Sequence, residues 1–111
     1  MKIKQKLFDD IVVVSLDGNL FGEPEISEVR KEIYTVLDRG LTKVVLDLSK
    51  VNKINSSGLG TVMAILASIK GKGGELRLAN ITGYVGSVLV LTKLVKVLKI
   101  YETVDRAVKS F

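Results

Sequence analysis

The amino-acid sequence predicts an α/β domain built on a mixed β-sheet, and three observations support this prediction. Segments in which apolar and polar residues alternate are interleaved with segments that have the apolar spacing of helices. The chain has 111 residues, which is a usual length for one domain. Hydrophobic residues make up 47% of it and charged residues 26%, so it can bury an ordinary core. We therefore expect one domain with four to five strands and about four helices.

The first part of the chain predicts a hairpin followed by a helix. Ile3, Gln5 and Leu7 alternate with three lysines over residues 2–7, which predicts a first strand. The valine-rich residues 11–16 predict a second strand, with residues 8–10 as the turn. These two strands are expected to be antiparallel. Pro24 suits the first position of a helix and an apolar stripe follows it, so the first helix is expected over about residues 24–39.

The rest of the chain predicts strands that alternate with helices. Residues 44–48 are almost continuously apolar, which is typical of a strand covered on both faces in a parallel arrangement. The apolar spacing predicts a second helix over about residues 57–70, capped by Asn55 or Ser56. The remaining predicted elements are a strand around Leu76 and Leu78, a helix over residues 83–91, a short strand over residues 98–101 and a terminal helix capped by Thr103. This order implies parallel strands joined by right-handed crossovers.

The composition argues against most classes of enzyme. The chain contains no cysteine and no histidine, which removes the thiolate nucleophile, the commonest general base and the commonest metal ligand. The spacing of the aspartates, such as Asp9, Asp10, Asp17 and Asp47, does not indicate a metal site. We therefore expect a protein that is not an enzyme and that has no metal or other cofactor.

The positive charge of the chain is scattered rather than concentrated. The net charge is +5, but Lys2, Lys4 and Lys6 alternate like the solvated face of an edge strand. Only 5% of the residues are aromatic, so there is no series on which bases could stack, and direct nucleic-acid binding is not expected. The N-terminus lacks the apolar stretch of a signal peptide, and no apolar run is long enough to span a bilayer. These features indicate a cytoplasmic location without membrane insertion.

Residues 51–60, between the central strand and the second helix, are the most informative stretch. The carboxyl ends of parallel strands present the start of the next helix, with free N–H groups and the positive end of its dipole. Ser56 is the best-placed polar residue there, and a phosphate on it would add about 1.5 to 2 negative charges where an anion is tolerated. The alternative is structural: Asn55 and Ser56 cap the helix, while Gly58 and Gly60 let it approach the sheet.

This stretch, together with residues 43–47, 73–76 and 91–104, resembles the STAS domain of anti-sigma factor antagonists. The resemblance covers nearly the whole chain, so residues 1–111 are expected to form one STAS domain, with the helices mainly on one side of the sheet. The family signature is an acidic residue, a serine, a small residue, a glycine and an aliphatic residue, often followed by glycine. Here it maps onto Asn55, Ser56, Ser57, Gly58, Leu59 and Gly60.

The resemblance implies a binding switch that regulates sigma-factor-dependent transcription. In relatives, the unmodified protein binds an anti-sigma factor that is also a serine kinase, and this binding frees the sigma factor. Phosphorylation of the serine abolishes the binding, and a serine phosphatase restores it. By similarity, Ser56 is the expected phosphorylation site, and the expected partner-binding residues are Phe21, Asn55, Ser56, Ser57, Gly58 and Leu59.

The chain departs from the family pattern at Asn55 and Phe21, where relatives often carry aspartate. Both departures remove negative charge near Ser56. Phe21 adds an aromatic side chain to the expected docking face, and aromatic residues often act as anchors there. The departures also favour an alternative function, which is a STAS assembly subunit of a stress-signalling or lipid-transport complex that is not phosphorylated.

Two further features leave alternatives open. Asp47 lies inside the predicted central strand, where it either accepts a hydrogen bond from nearby backbone or supports the loop leading to Asn55. Residues 85–98 are more apolar than one core face needs. They either pack in the core or form an exposed patch for a homodimer or another partner.

Overall fold

The computed structural model describes residues 1–111, which form a five-stranded mixed sheet and its helices. The strands lie side by side in sequence order: β1 (Lys2–Phe8), β2 (Ile11–Asp17), β3 (Lys43–Lys50), β4 (Glu75–Ala79) and β5 (Lys99–Tyr101). The helices are α1 (Glu25–Asp38), α2 (Ser56–Gly71), α3 (Gly83–Leu91) and α4 (Val104–Lys109), and a 3-10 turn covers Leu94–Lys96. Five strands and four helices in this order confirm the predicted α/β fold.

The hairpin of β1 and β2 is the antiparallel part of the sheet, and all other neighbouring strands are parallel. Its turn contains Asp9, whose φ of 55° lies in the left-handed region that tight hairpin turns require. Lys2, Lys4 and Lys6 are exposed along β1, as their alternation predicts. Charged residues on an edge strand also oppose pairing with the edge of another sheet.

Strand β3 lies at the centre of the sheet and is covered on both faces. Val44 and Leu46 belong to a cluster of 22 buried side chains, whereas Val45 belongs to a cluster of five on the opposite face. α1, α2 and α3 supply the helical side of the larger cluster, and α4 contributes Ala107 to the smaller one. The helices therefore lie mainly on one side of the sheet, as predicted.

Asp47 connects the three central strands on the face that α4 partly covers. Its carboxylate accepts hydrogen bonds from the Ser15 hydroxyl (3.0 Å), the Asn80 side-chain amide (3.1 Å) and the Ser49 backbone N–H (3.1 Å). Burial of the carboxyl group opposes its ionisation, but the hydrogen bonds from Asn80, Ser49 and Ser15 outweigh that effect and lower the pKa of Asp47. Asp47 thus accepts both the predicted backbone bond and side-chain bonds that join β2, β3 and the end of β4.

The helix boundaries agree with the predicted ones to within one or two residues. α1 begins one residue later than predicted, at Glu25, and α2 begins one residue earlier, at Ser56, because Asn55 supplies the cap. α3 has the predicted bounds, and Lys93 then adopts a φ of 62°, which leads the chain out of the helix and into the 3-10 turn. None of the helices is both long enough and apolar enough to cross a bilayer.

Candidate functional site

The loops that follow β2 and β3 run side by side and continue the pairing of the two strands. The Leu20 N–H donates to the Lys53 carbonyl (3.1 Å), and the Asn55 N–H donates to the Leu20 carbonyl (3.3 Å). The Asn19 side chain accepts a hydrogen bond from the Lys53 N–H (3.1 Å). Leu20 and Ile54 form an isolated parallel bridge, and both side chains are buried. The start of α2 is therefore held on an extension of the sheet.

The Asn55 side-chain amide makes two hydrogen bonds at the start of α2, one through its oxygen and one through its nitrogen. Its oxygen accepts a hydrogen bond from the Gly58 N–H (3.1 Å), which caps α2. Its nitrogen donates to the Phe21 carbonyl (2.6 Å) in the neighbouring loop. An ionised aspartate could accept from Gly58, but it has no N–H to give to Phe21. Asparagine at this position therefore caps the helix and joins the two loops at once.

Gly58 allows α2 to approach the loop that follows β2. A Cβ atom built on Gly58 would lie 2.4 Å from the Leu20 carbonyl oxygen and 2.5 Å from a side-chain carbon of Ile54. Gly60 differs, because a Cβ atom there would meet nothing within 4 Å. Of the two glycines expected to permit the close approach, only Gly58 does so, and the expectation for Gly60 was wrong because that residue faces solvent.

Ser56 and Ser57 open the first turn of α2, and both are exposed. Because the side-chain cap comes from Asn55, the Ser56 hydroxyl is not needed to begin the helix. The first turn contains no acidic residue, so nothing on α2 offsets the positive end of its dipole. A phosphate attached to Ser56 would lie at a helix terminus that attracts anions.

Phe21 lies beside the start of α2 and is 47% exposed. The nearest acidic residue along its loop, Glu23, accepts hydrogen bonds from the hydroxyl and the backbone N–H of Ser27. These bonds hold the pKa of Glu23 below its ordinary value. The negative charge of this loop is thus engaged at the start of α1, and Phe21 presents an exposed apolar ring from the loop that bonds to Asn55.

The loop that follows β4 joins the same edge of the sheet. The Thr82 hydroxyl donates to the Val51 carbonyl (2.9 Å), which ties the start of α3 to the loop before α2. Tyr84, in the first turn of α3, is 51% exposed. The apolar pattern of α3 does not single out Tyr84, although its place after a parallel strand is a signal that could identify it.

The expected partner-binding residues separate into two groups by burial. Four of them are exposed near the shared edge and form the surface that we call the Ser56 face: Phe21, Asn55, Ser56 and Ser57. Gly58 is buried, and Leu59 is half-buried against the main core. Any effect of these two residues on a partner would be exerted through the placement of α2.

Substitution of the two glycines of α2 tests this geometry. We expect Gly58→Ala to lower the free energy of unfolding by about 1 to 3 kcal/mol, because the new methyl group overlaps the loop after β2. Gly60→Ala is the matched control and should raise it by up to about 1 kcal/mol, since alanine favours an exposed helical position. Urea denaturation measures both values. Equal effects of the two substitutions would contradict the close approach at Gly58.

Comparison with known sequences identifies one family. A family model described as STAS domain matches residues 2–107. Over 105 residues the chain is 34% identical to a Thermotoga maritima protein named "Putative anti-sigma factor antagonist", and the match covers 95% of this chain and 93% of that protein. A Bordetella bronchiseptica relative with the same description, BtrV, is 23% identical over 111 residues, covering 100% of this chain and 95% of that protein.

Solved structures show the same fold. A crystal structure of an anti-sigma factor antagonist from Thermotoga maritima, also named putative, superposes with a TM-score of 0.89 at 32% identity, covering 97% of this chain and 92% of that chain. The Bacillus protein SpoIIAA in its phosphorylated form superposes with a TM-score of 0.74 at 20% identity over 98% of each chain. The resemblance predicted from residues 51–60 and their surroundings is confirmed, and the chain belongs to the STAS domain family.

Proposed function

We propose that this STAS domain is an anti-sigma factor antagonist whose binding is switched off by phosphorylation of Ser56. Its partner is an anti-sigma factor that is also a serine kinase, and a serine phosphatase reverses the modification. The names of the Thermotoga maritima and Bordetella bronchiseptica relatives support the general role. The proposed protein is a cytoplasmic binding protein that regulates transcription and is not an enzyme. Its STAS domain is proposed to span residues 1–111.

The observation that carries the proposal is the exposed Ser56 hydroxyl on a rigid scaffold. Ser56 is the first residue of α2, and the cap of that helix is supplied by Asn55. The hydroxyl is therefore available to a kinase, while the backbone around it is fixed by the bonds between Leu20, Lys53 and Asn55. A residue with this placement can be modified without loss of a contact that the fold needs.

The chemistry of a phosphate explains how binding is lost while the fold is kept. Phosphorylation adds about 1.5 to 2 negative charges and three acceptor oxygens. At the start of α2 these charges interact favourably with the helix dipole, so the domain stays folded. In a complex, the same charges would have to be desolvated or would face like charges of the partner, which opposes association.

The two departures from the family pattern change the character of the Ser56 face. Asn55 has no charge but links the loops through its side-chain N–H, and Phe21 offers an apolar ring that is half exposed. Burial of an aromatic ring at the centre of an interface is a common source of binding energy. We propose that Phe21 is an anchor for the partner, whereas a relative with aspartate there would make a polar contact.

Phosphorylation by the partner is the first test of the switch. After incubation of the chain with its serine-kinase anti-sigma factor and ATP, intact-mass measurement should find one added phosphate. The Ser57→Ala variant should also gain one phosphate, because Ser57 is exposed beside Ser56 but is not the acceptor. Ser56→Ala should gain none. A phosphate on Ser56→Ala, or the absence of a phosphate on Ser57→Ala, would contradict the assignment of Ser56 as the phosphorylation site.

Removal of the proposed aromatic anchor is the second test. Phe21→Ala should weaken binding of the unmodified chain to the anti-sigma factor by at least about 10-fold, because a buried aromatic contact is lost. Tyr34→Ala is the matched control: Tyr34 lies on α1 and has the same exposure of 47% as Phe21. Isothermal titration calorimetry measures both affinities. Equal affinities of the two variants for the anti-sigma factor would show that Phe21 is not an anchor in the interface.

An assembly subunit that is not phosphorylated is the second candidate function, and the uncharged Asn55 and Phe21 favour it. Such a subunit would use the same exposed face for a permanent contact in a stress-signalling or lipid-transport complex. The mass measurement separates the two functions. A stable complex with no phosphate after incubation with kinase and ATP would support the assembly role and would exclude the switch.

A further inference from the structure

Helix α3 has the composition of a buried helix but is covered on one face only. Its apolar residues surround the helix axis, yet only Val85 and Leu89 are buried. Val90 is 62% exposed, and Leu91 is 82% exposed. A helix that is apolar all round is normally enclosed by other elements. The uncovered part of α3 is therefore unusual for the surface of a domain that acts alone.

The uncovered part of α3 borders a groove of about 700 Å³. One wall is α3, and the other consists of the 3-10 turn and the edge strand β5. The groove is lined mainly by Ile81, Gly86, Val90, Leu91, Val95 and Ile100. Gly86 has no side chain, and this leaves the surface concave between its larger neighbours. We call this surface the α3 groove.

The segment that forms the α3 groove carries positive charge, and the acidic residue next to it, Glu102, is paired with Arg106. Residues 81–101 contain three lysines and no acidic residue. Lys99 forms an ion pair with Glu75, whereas Lys93 and Lys96 form no ion pair within the chain. Lys96 follows Val95, which lines the groove, and Lys93 lies along the chain between the lining residues Leu91 and Val95. An occupant that is apolar on one side and acidic along its edges would complement this surface.

We propose that the α3 groove binds the apolar face of an acidic amphipathic helix that belongs to a partner protein. Helices bind in such grooves through apolar side chains spaced three and four residues apart, and their glutamates or aspartates would pair with Lys93 and Lys96. A second copy of this chain is a poor occupant, because symmetric contact would bring the same lysines of both copies together. A flat membrane surface would leave the concave centre of the groove unfilled.

The α3 groove begins near the edge of the sheet that carries Ser56, where Thr82 and Gly83 line it, but its lysines lie at the other end of α3. α3 begins where the parallel strands end, near Ser56, and it returns the chain to the side of the domain where these strands begin. There the 3-10 turn leads into β5. Leu91, Lys93 and Lys96 therefore lie at the far end of the domain. A partner in the groove can stay bound whether or not Ser56 carries a phosphate, which would allow two proteins to bind one domain.

A synthetic acidic peptide tests the proposal. The probe is a helical peptide of about 18 residues with leucine at every third or fourth position and glutamate elsewhere. Titration into the labelled chain, followed by NMR, should give saturable shifts confined to the region of residues 81–101. A matched peptide with lysine in place of glutamate should bind at least about 10-fold more weakly, because it meets Lys93 and Lys96 with like charge.

Substitutions in the chain test whether the peptide binds in the α3 groove. Leu91→Glu should weaken binding at least about 10-fold, and the fold should be kept because Leu91 is 82% exposed. The double variant Lys93→Asn and Lys96→Gln should also weaken it, and asparagine tolerates the left-handed backbone of Lys93. Leu7→Glu is the control, since Leu7 is an exposed leucine on β1 at the other side of the sheet. Leu7→Glu and Ser56→Glu should bind the peptide as the natural chain does.

Three outcomes would overturn the proposal. The first is no saturable binding of the acidic peptide, or binding that Leu91→Glu leaves unchanged. The second is binding of the chain to phosphatidylglycerol vesicles, measured by co-sedimentation, that is stronger than its binding to the peptide and that Leu91→Glu abolishes. This result would indicate that the groove binds a membrane surface. The third is a dimer in analytical ultracentrifugation that Leu91→Glu dissociates, which would indicate that a second copy fills the groove.

Discussion

The Asn55 side-chain amide is the contact on which the Ser56 face depends. Its oxygen caps α2, and its nitrogen binds the Phe21 carbonyl, so one side chain fixes both the start of the helix and the neighbouring loop. Gly58 makes this arrangement sterically possible, because any larger residue would meet the Leu20 carbonyl. The consequence is that Ser56 and Phe21 are presented together, on backbone whose hydrogen bonds do not involve the Ser56 hydroxyl.

The position of the site could be predicted from sequence because it follows from the fold. Period-two and helical patterns place residues 51–60 between a buried parallel strand and a helix, and parallel strands direct their carboxyl ends to one edge of the sheet. The partnership between Asn55 and Phe21 could not be predicted in this way. These residues are 34 positions apart, and their contact depends on the register of β2 against β3, which includes an irregularity between Ser15 and Asp17.

The segment around α3 shows a second limit of sequence patterns. Its apolar residues left core packing and an exposed patch as alternatives, because a continuous apolar run does not indicate which face is covered. The structure shows that both descriptions hold in part: Val85 and Leu89 are buried, while Val90 and Leu91 are exposed. The exposure of Tyr84 cannot be predicted from sequence for the same reason, since it depends on how α3 packs and not on the spacing of the residue.

Charge at the Ser56 hydroxyl is central to the proposed switch, and the variants Ser56→Ala and Ser56→Glu test it most directly. The measurement is the affinity of each variant for the serine-kinase anti-sigma factor, together with its free energy of unfolding in urea. Ser56→Ala should bind as tightly as the natural chain, Ser56→Glu should bind at least about 10-fold more weakly, and both should keep the stability of the natural chain. Equal affinity of the two variants, or unfolding of Ser56→Glu, would contradict the account.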